Sequence, residues 1–402
     1  MKKIIESNVK QIENEIIENR RHLHRHPELS NQEKETSVFI QEKLTEYGVK
    51  YETGFAKYGV LGIIEGTKPG KTVALRADMD ALPIQEQNDH EFVSEQPNVM
   101  HACGHDAHTS MLLGAGKVLQ QLKEELQGTV LLVFQPAEED APIGGAGVMM
   151  KDGVFDTYTP DVIYGQHVWP YIPSGMVGIH DKEIMGASDR FKITLKGSGG
   201  HASMPQQTRD PVVAAGQLIT SLQTIVSRNL DPLEASVVTI SMLEAGSTPN
   251  IIPSEVTLQG SIRTYNPEIR ERLKERFFTI TNQVAAAFET EAEIDYFDGY
   301  PATINTPKWA QTARESARKV LGEEATPDFN PSLAGEDFGR YLQKYPGAFI
   351  WLGTQIEDKE NQAPLHDAKF KINEKMLASG ATLLAQVAVD ALNQLEEEGA
   401  DE

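Results

Sequence analysis

The strongest constraint on how this chain folds is a change of pattern near residue 187. Before it, short apolar strands alternate with helices: Val60–Ile64 and Thr72–Ala77 read as strands, Ala107–Leu126 as a helix stopped by Gly128, and Thr129–Phe134 and Val162–Gly165 as further strands. Alternation of this kind predicts a mostly parallel sheet between helices. From residue 187 the order becomes β-α-β-β-α-β. Phe191, Ile193 and Leu195 alternate as a half-buried strand, Asp210–Arg228 is helical, Ser236–Leu243 and Glu255–Arg263 are strands, Pro267–Phe288 is a helix and Glu291–Phe297 a closing strand. That is the split pattern of a ferredoxin-like sheet covered on one face by two helices. The first pattern then resumes, with Trp309–Leu321 helical, Ala348–Leu352 a strand and Asn373–Leu395 a long last helix. The expected fold class is therefore α/β, a mixed sheet with a mostly parallel core sandwiched by helices, carrying an inserted ferredoxin-like α+β domain. Residues 1–186 and 298–402 make the first domain and 187–297 the insertion, a division that suits 402 residues.

Sheets of the first kind place their sites beyond the carboxyl ends of the strands. Thr72–Ala77 runs into Asp78 and Asp80, Thr129–Phe134 into Glu138 and Glu139, and Val162–Gly165 into His167. Three strand ends thus deliver acidic or imidazole groups toward one edge. Upstream, Ile5, Val9, Ile12, Ile16 and Leu23 predict one amphipathic helix ending before Pro27. His22, His24 and His26 near its end alternate and so point in different directions, which reads as a structural or capping role. The acidic tail Glu396–Glu402 reads as frayed.

Acidic residues number 59 against 37 basic ones, for a formal charge of −22. Such a chain repels nucleic acid and anionic membrane, and no such partner is expected. The N-terminus is interrupted by charges and lacks the apolar run of a secretory signal, and no later window reads as a membrane span, so a cytoplasmic location is expected.

Only one cysteine is present, which rules out an intramolecular disulfide and leaves filler, nucleophile or metal ligand. Its neighbours favour the last. In MHACGHDAH, Cys103 and His105 stand two apart in a loop before a helix, with Gly104 adding no bulk between them. The pair alone is weak. In QPAEED, Glu138 and Glu139 stand side by side at a strand end, and metal-assisted hydrolysis needs one carboxylate on the metal and one free to take a proton from water. His167 in YGQHVWP and His366 in APLHDAKF complete five donors, Cys103, His105, Glu139, His167 and His366, enough for two ions sharing a bridging ligand. A thiolate with imidazoles favours zinc, with manganese, cobalt or nickel as alternatives.

These segments resemble the metallo-amidohydrolase family that includes bacterial aminoacylases, hippurate hydrolases and plant hydrolases of auxin–amino-acid conjugates, enzymes with a zinc-peptidase-like fold. The similarity runs in order through RRHLHRHPELS, LRADMDALPIQE, MHACGHDAH, QPAEE, GQHVWP, GSGGHASMP, TPNIIP, AGEDF and PLHDAKF. It implies that the five donors hold two divalent ions with Cys103 as the bridge, and that Glu138 is the general base that then protonates the leaving amine. It implies further that His201 in GSGGHAS stabilises the oxyanion, in its own site or a partner subunit's, that Asn250 and Arg263 hold the substrate carbonyl or carboxylate, and that Asp80 supports a ligand. Read without the resemblance, Asn250 is equally a turn residue and Arg263 a strand-edge cation. Where the wider peptidase clan has His-x-Asp this chain has Asp78-Met79-Asp80, and Asp78 is left without an assigned part. By analogy Gly335-Glu336-Asp337-Phe338 forms a loop near the leaving-group pocket. The expected substrate is an N-acyl amino acid, and the expected assembly a homodimer or higher homo-oligomer through the inserted lid domain. A dipeptidase would use the same parts. Two other readings are a metal-binding protein without turnover and a metal-free Cys103 nucleophile.

Overall fold

The structure is a computed structural model and describes residues 1–400. Contacts divide it into two units. One comprises Met1–Ile184, Ile304–Pro331 and the chain from Asp337 onward; the other comprises Met185–Thr303 with Ser332–Glu336. The short return of Ser332–Glu336 to the second unit is a feature that strand and helix periodicity does not announce.

The first unit is built on a seven-stranded mixed sheet. Its middle is parallel: Gln127–Gln135, Lys68–Asp78, Val162–Trp169 and Gly347–Gly353 lie side by side in that order. Antiparallel strands Gly59–Glu65 and Lys50–Phe55 extend one side, and Val177–Gly178 the other. Parallel central strands buried on both faces need unbroken apolar runs. Val162–Trp169 and Gly347–Gly353 are buried at every position. The parallel register brings Asp78 opposite Gln135, so the residues that follow both strands leave from one edge.

The helices differ from expectation in their limits. The opening helix is two, Lys2–Gln11 and Glu13–Arg25, parted at Ile12. The predicted Ala107–Leu126 helix runs His105–Gln121 and ends in a single 3₁₀ turn, Lys123–Glu125. Helix Lys34–Glu46 and strand Lys50–Phe55 were not expected. The last helix spans Met376–Ala400 rather than starting at Asn373, whose side chain instead accepts from the Lys375 N–H. Glu396–Ala400 are therefore helical and not frayed, while Asp401 and Glu402 lie outside the described residues. This helix also corrects the expectation about membrane spans. Met376–Gly399 is long and apolar enough to cross a membrane, yet most of it is buried within the protein, as befits a core helix. Leu377, Ala381, Leu384, Ala385 and Ala388 share one hydrophobic core with Met111, Ala115 and Val118.

The second unit is a four-stranded antiparallel sheet in the order Ser236–Ala245, Glu255–Thr264, Ala187–Lys196, Glu291–Tyr300. Helices Pro211–Thr224 and Pro267–Ala287 supply the rest of its core, where Leu218, Leu222 and Phe277 meet Phe191, Ile193, Leu258 and Ile262. Both helices begin with proline after a capping side chain: Asp210 accepts from the Val212 N–H, and Asn266 from the Glu268 N–H. The first gives way at Ile225–Asn229 to a π turn, ending the predicted Asp210–Arg228 helix early.

Candidate metal centre

Cys103, His105 and His167 are brought together by two elements. His105 opens helix His105–Gln121, and the loop before it turns at Gly104 with φ 87°. A Cβ there would sit 2.4 Å from Val168 Cγ2, so glycine is required both for its left-handed backbone and for its lack of bulk. His167 lies inside strand Val162–Trp169, which runs past the predicted end at Gly165. Its Nδ1–H donates to the Val168 carbonyl at 2.6 Å, leaving the Nε2 lone pair 3.5 Å from the Cys103 sulfur. Burial, and then the neighbouring His108, keep His167 neutral by depressing its pKa well below the usual imidazole range.

The carboxylates arrive from the Gln127–Gln135 strand end. The backbone turns through Ala137 with φ 57°, an uncommon conformation for a residue with a side chain. Glu33, itself buried, holds that turn by accepting from the Ala137 N–H at 2.7 Å. Glu138 is buried and accepts from the Asp337 N–H at 3.3 Å. Glu139 faces His366, with Oε1 and Nε2 3.1 Å apart, and His366 is positioned by its N–H on the Ala102 carbonyl and by a positive φ of 65°.

Three overlapping donor groups result: Cys103 with His105 and His167, Cys103 with Glu139 and His366, and His105 with Glu138 and Glu139. In each the ligating atoms lie within 4.8 Å of one another. Cys103 is shared by the first two. The fit to cations shows in what lacks a partner. His105 Nε2 and Glu139 Oε1 are buried polar atoms without a well-aligned hydrogen bond among the described residues, although Asp78 lies 3.7 Å from the first and His366 3.1 Å from the second. Orphaned buried donors and acceptors are costly, and a bound cation removes that cost.

Behind these atoms stand carboxylates. Asp80 faces His105 Nδ1 at 3.2 Å and, with its other oxygen, accepts from the Glu139 N–H at 2.9 Å and the Ser30 hydroxyl at 2.6 Å. Burial works against charge on His105, but Asp78 and then Asp80 outweigh it and lift its pKa to about 10. Burial, followed by Glu139 and Glu138, pushes the Cys103 thiol well above its ordinary value. A thiol so placed is a poor nucleophile by itself and becomes a thiolate only beside strong positive charge.

Asp78 has a part that spacing did not reveal. It accepts from His108 Nδ1–H at 2.6 Å and from Arg76 at 2.7 Å. The other nitrogen of His108 accepts the Val168 N–H at 2.8 Å, so both are occupied and His108 is structural although MHACGHDAH offers it beside His105. Arg76 continues to Asp337 at 2.9 Å and Gln135 at 2.9 Å, and Asp337 accepts from Gln135 and from the Ala146 N–H. This buried network joins the strand ends to the residue that contacts Glu138. Its one signal in the sequence is an arginine within the apolar run TVALRAD.

His24 is fully buried, with Nδ1 2.7 Å from Asp106 Oδ2, whereas His22 stacks on Phe39 and His26 Nδ1 bonds the His22 carbonyl. The remaining expected site residues lie in the second unit. His201 is exposed and hydrogen-bonded through Nδ1 to the Ser203 hydroxyl at 2.8 Å. It pairs with Ile251, and the Ala202 N–H donates to the Asn250 carbonyl, so His201 and Asn250 share one small two-stranded element. Arg263 is on an interior strand opposite Ser188, not at a sheet edge. Burial lowers its pKa without bringing it out of the charged state.

Known proteins resemble this chain over most of its length. N-acetyl-L-cysteine deacetylase of Bacillus subtilis is 40% identical over 390 residues, covering 97% of this chain and 91% of that protein. IAA-amino acid hydrolase ILR1-like 5 of Arabidopsis thaliana is 42% identical over 375 residues, covering 92% and 85%. The crystal structure of the Bacillus subtilis YXEP protein, described as a dinuclear metal binding peptidase from the M20 family, superposes with a TM-score of 0.83 at 35% identity over 96% and 99% of the two chains. Residues 74–390 match the sequence model of one family. The chain belongs to peptidase family M20/M25/M40.

Proposed function

We propose that this chain is a metal-dependent amidohydrolase that cleaves the amide bond of N-acyl amino acids. The observation that carries the reading is the pair Glu138 and Glu139. Both carboxylates reach the same cluster, Glu139 with a buried oxygen that faces His366 but has no well-aligned hydrogen bond among the described residues, Glu138 seated on the Asp337 N–H. A site that only stored ions needs no second carboxylate held in that manner. The named activities of the relatives, deacetylation of N-acetylcysteine and hydrolysis of indole-acetyl amino acids, support the substrate class.

Cys103, His105, Glu139, His167 and His366 would hold two divalent ions, and Cys103 is the donor common to the first two groups. When bound, such ions lower the pKa of water and polarise an amide carbonyl. Zinc suits the thiolate and imidazoles best, with manganese, cobalt and nickel as alternatives. Glu138 takes the proton of the attacking water and returns it to the departing amine, so that one carboxyl serves both steps. His201 would donate to the developing oxyanion, in its own site or a partner subunit's, and Asn250 and Arg263 would hold the substrate's carbonyl or carboxylate. Asp80 keeps the His105 ring turned and basic.

The test is a screen of N-acetyl, N-benzoyl and indole-acetyl amino acids beside dipeptides, with zinc, manganese or cobalt restored. Turnover of N-acyl amino acids above dipeptides is expected; turnover of dipeptides alone would contradict the substrate class.

A homodimer through the second unit belongs to the same reading. Among the described residues its edge strand Ser236–Ala245 pairs on one side only and exposes Val237, Met242 and Leu243. Edges of this kind invite pairing with a second copy. A stable, fully active monomer in sedimentation would rule it out. A cytoplasmic location completes the proposal, since a thiolate ligand is safest where thiols stay reduced, and cell fractionation checks it.

A further inference from the structure

A second set of donors lies apart from the five of the metal centre. The ligating atoms of His24, Glu86 and His90 come within 4.8 Å of one another. His24 Nε2 is 3.1 Å from Glu86 Oε1, and His90 Nε2 is 3.2 Å from the same oxygen. With metal–nitrogen and metal–oxygen distances of about 2.0–2.2 Å, donors around a tetrahedral zinc stand about 3.3–3.5 Å apart. Little movement is needed to admit an ion.

The cluster is poorly served by hydrogen bonding alone. Glu86 Oε1 is approached by His24, by His90 and by the Asn88 side-chain nitrogen at 2.9 Å, three groups on one oxygen with room for about two good bonds. Its partner oxygen already accepts from the Ser94 N–H at 2.6 Å. An ion relieves the crowding by turning the two imidazoles from donors to Glu86 into lone-pair ligands beside it. His24 is oriented for that part: Asp106 binds its Nδ1, the carboxylate–histidine arrangement that fixes a ligand ring. His90 is held by stacking on Phe92, ring centres 3.8 Å apart. Its Nδ1 and the Asn88 side-chain oxygen are both buried without a hydrogen bond among the described residues.

Charge also favours a cation. Arg20 is engaged by Asp106 and Glu374, and Arg21 by Glu374, so two guanidinium groups meet three carboxylates once Glu86 is included. A proton on His24 is the competing occupant, bonding both Asp106 and Glu86. It leaves His90 and Asn88 crowding the same oxygen.

We propose that His24, Glu86 and His90 form a further divalent metal site of the zinc class, structural in role. It would fasten helix Glu13–Arg25 to the segment between strand Lys68–Asp78 and Cys103. The site uses none of the five donors assigned above and stands or falls without them.

The experiment counts ions. Wild type and the variants H90Q and E86Q are loaded with zinc, freed of excess by gel filtration and analysed by inductively coupled plasma mass spectrometry, with cobalt-loaded samples compared by visible absorption. Each variant is expected to hold about one equivalent less than wild type, to lose one set of cobalt bands, and, for H90Q, to keep N-acyl amino acid turnover. Because the comparison is a difference from wild type, it reads this site whatever the occupancy of the other centre. Equal metal content in wild type and H90Q, or a loss of ions in H90Q that removes turnover with it, would overturn the proposal.

Discussion

Asp80 holds His105 from behind, one carboxylate oxygen 3.2 Å from the ring Nδ1. The same carboxylate accepts the Glu139 N–H, so a single buried side chain orients an imidazole and a carboxylate of the cluster together. Removing its charge should weaken both. Asp80→Asn is expected to lower metal affinity by about 10–100-fold, read by competition with a chromophoric chelator. Unchanged affinity would show that His105 is oriented by other means.

Gly104 tests the loop. Alanine at φ 87° costs about 1–2 kcal/mol for the left-handed backbone before its Cβ meets Val168 Cγ2 at 2.4 Å. Gly104→Ala should therefore lower the melting temperature and loosen metal retention, and adding Val168→Ala should recover part of the loss. An alanine variant as stable as wild type would mean the loop has another conformation.

Metal removal separates the hydrolytic site from a thiol enzyme. Burial and the adjacent carboxylates push the Cys103 thiol up, away from the range of an activated nucleophile. Exhaustive dialysis against a chelator should abolish turnover, and zinc, manganese or cobalt should restore it. Persistent activity would favour the metal-free nucleophile.

Glu33 sets a pH dependence of stability. Burial, and then Asp80, push its pKa up to about 7 from an ordinary value of 4.5. The folded chain thus binds this proton more tightly than the unfolded chain. The resulting stabilisation is complete below the unfolded value and is lost as pH rises through about 7. Glu33→Gln keeps an acceptor for the Ala137 N–H but has no proton to lose. At a fixed metal concentration, wild-type stability relative to this variant should fall by up to about 3 kcal/mol between pH 4.5 and neutrality, at about 1.36 kcal/mol per unit. Urea midpoints measure it, and a gap that does not change with pH would refute it.

The parts of this fold that sequence makes legible are those whose burial is unconditional. Strands buried on both faces, such as Val162–Gly165 and Ala348–Leu352, stand out as apolar runs, and the acidic and imidazole residues after the parallel strands mark the edge where the centre forms. The edge strand Lys50–Phe55 is almost wholly exposed and carries no such pattern. Helix Lys34–Glu46 buries only four side chains, two of them Thr36 and Ser37. Long-range polar contacts leave still less trace. Spacing pairs His105 with Cys103 but says nothing of His108, whose second nitrogen is taken by the Val168 backbone, 60 residues away. Asp78 likewise acquires its part only when Arg76 and His108 are seen on its two oxygens.

In the proposed mechanism Glu138 moves the proton while Glu139 serves the ions. Glu138→Gln keeps the size of the side chain and an oxygen for the Asp337 N–H but cannot take a proton. The direct measurement is kcat for an N-acyl amino acid together with metal content on the same preparation. A fall in kcat of about 10²–10⁴-fold is expected, with metal content equal to wild type. Turnover near the wild-type rate with the ions still bound would contradict it.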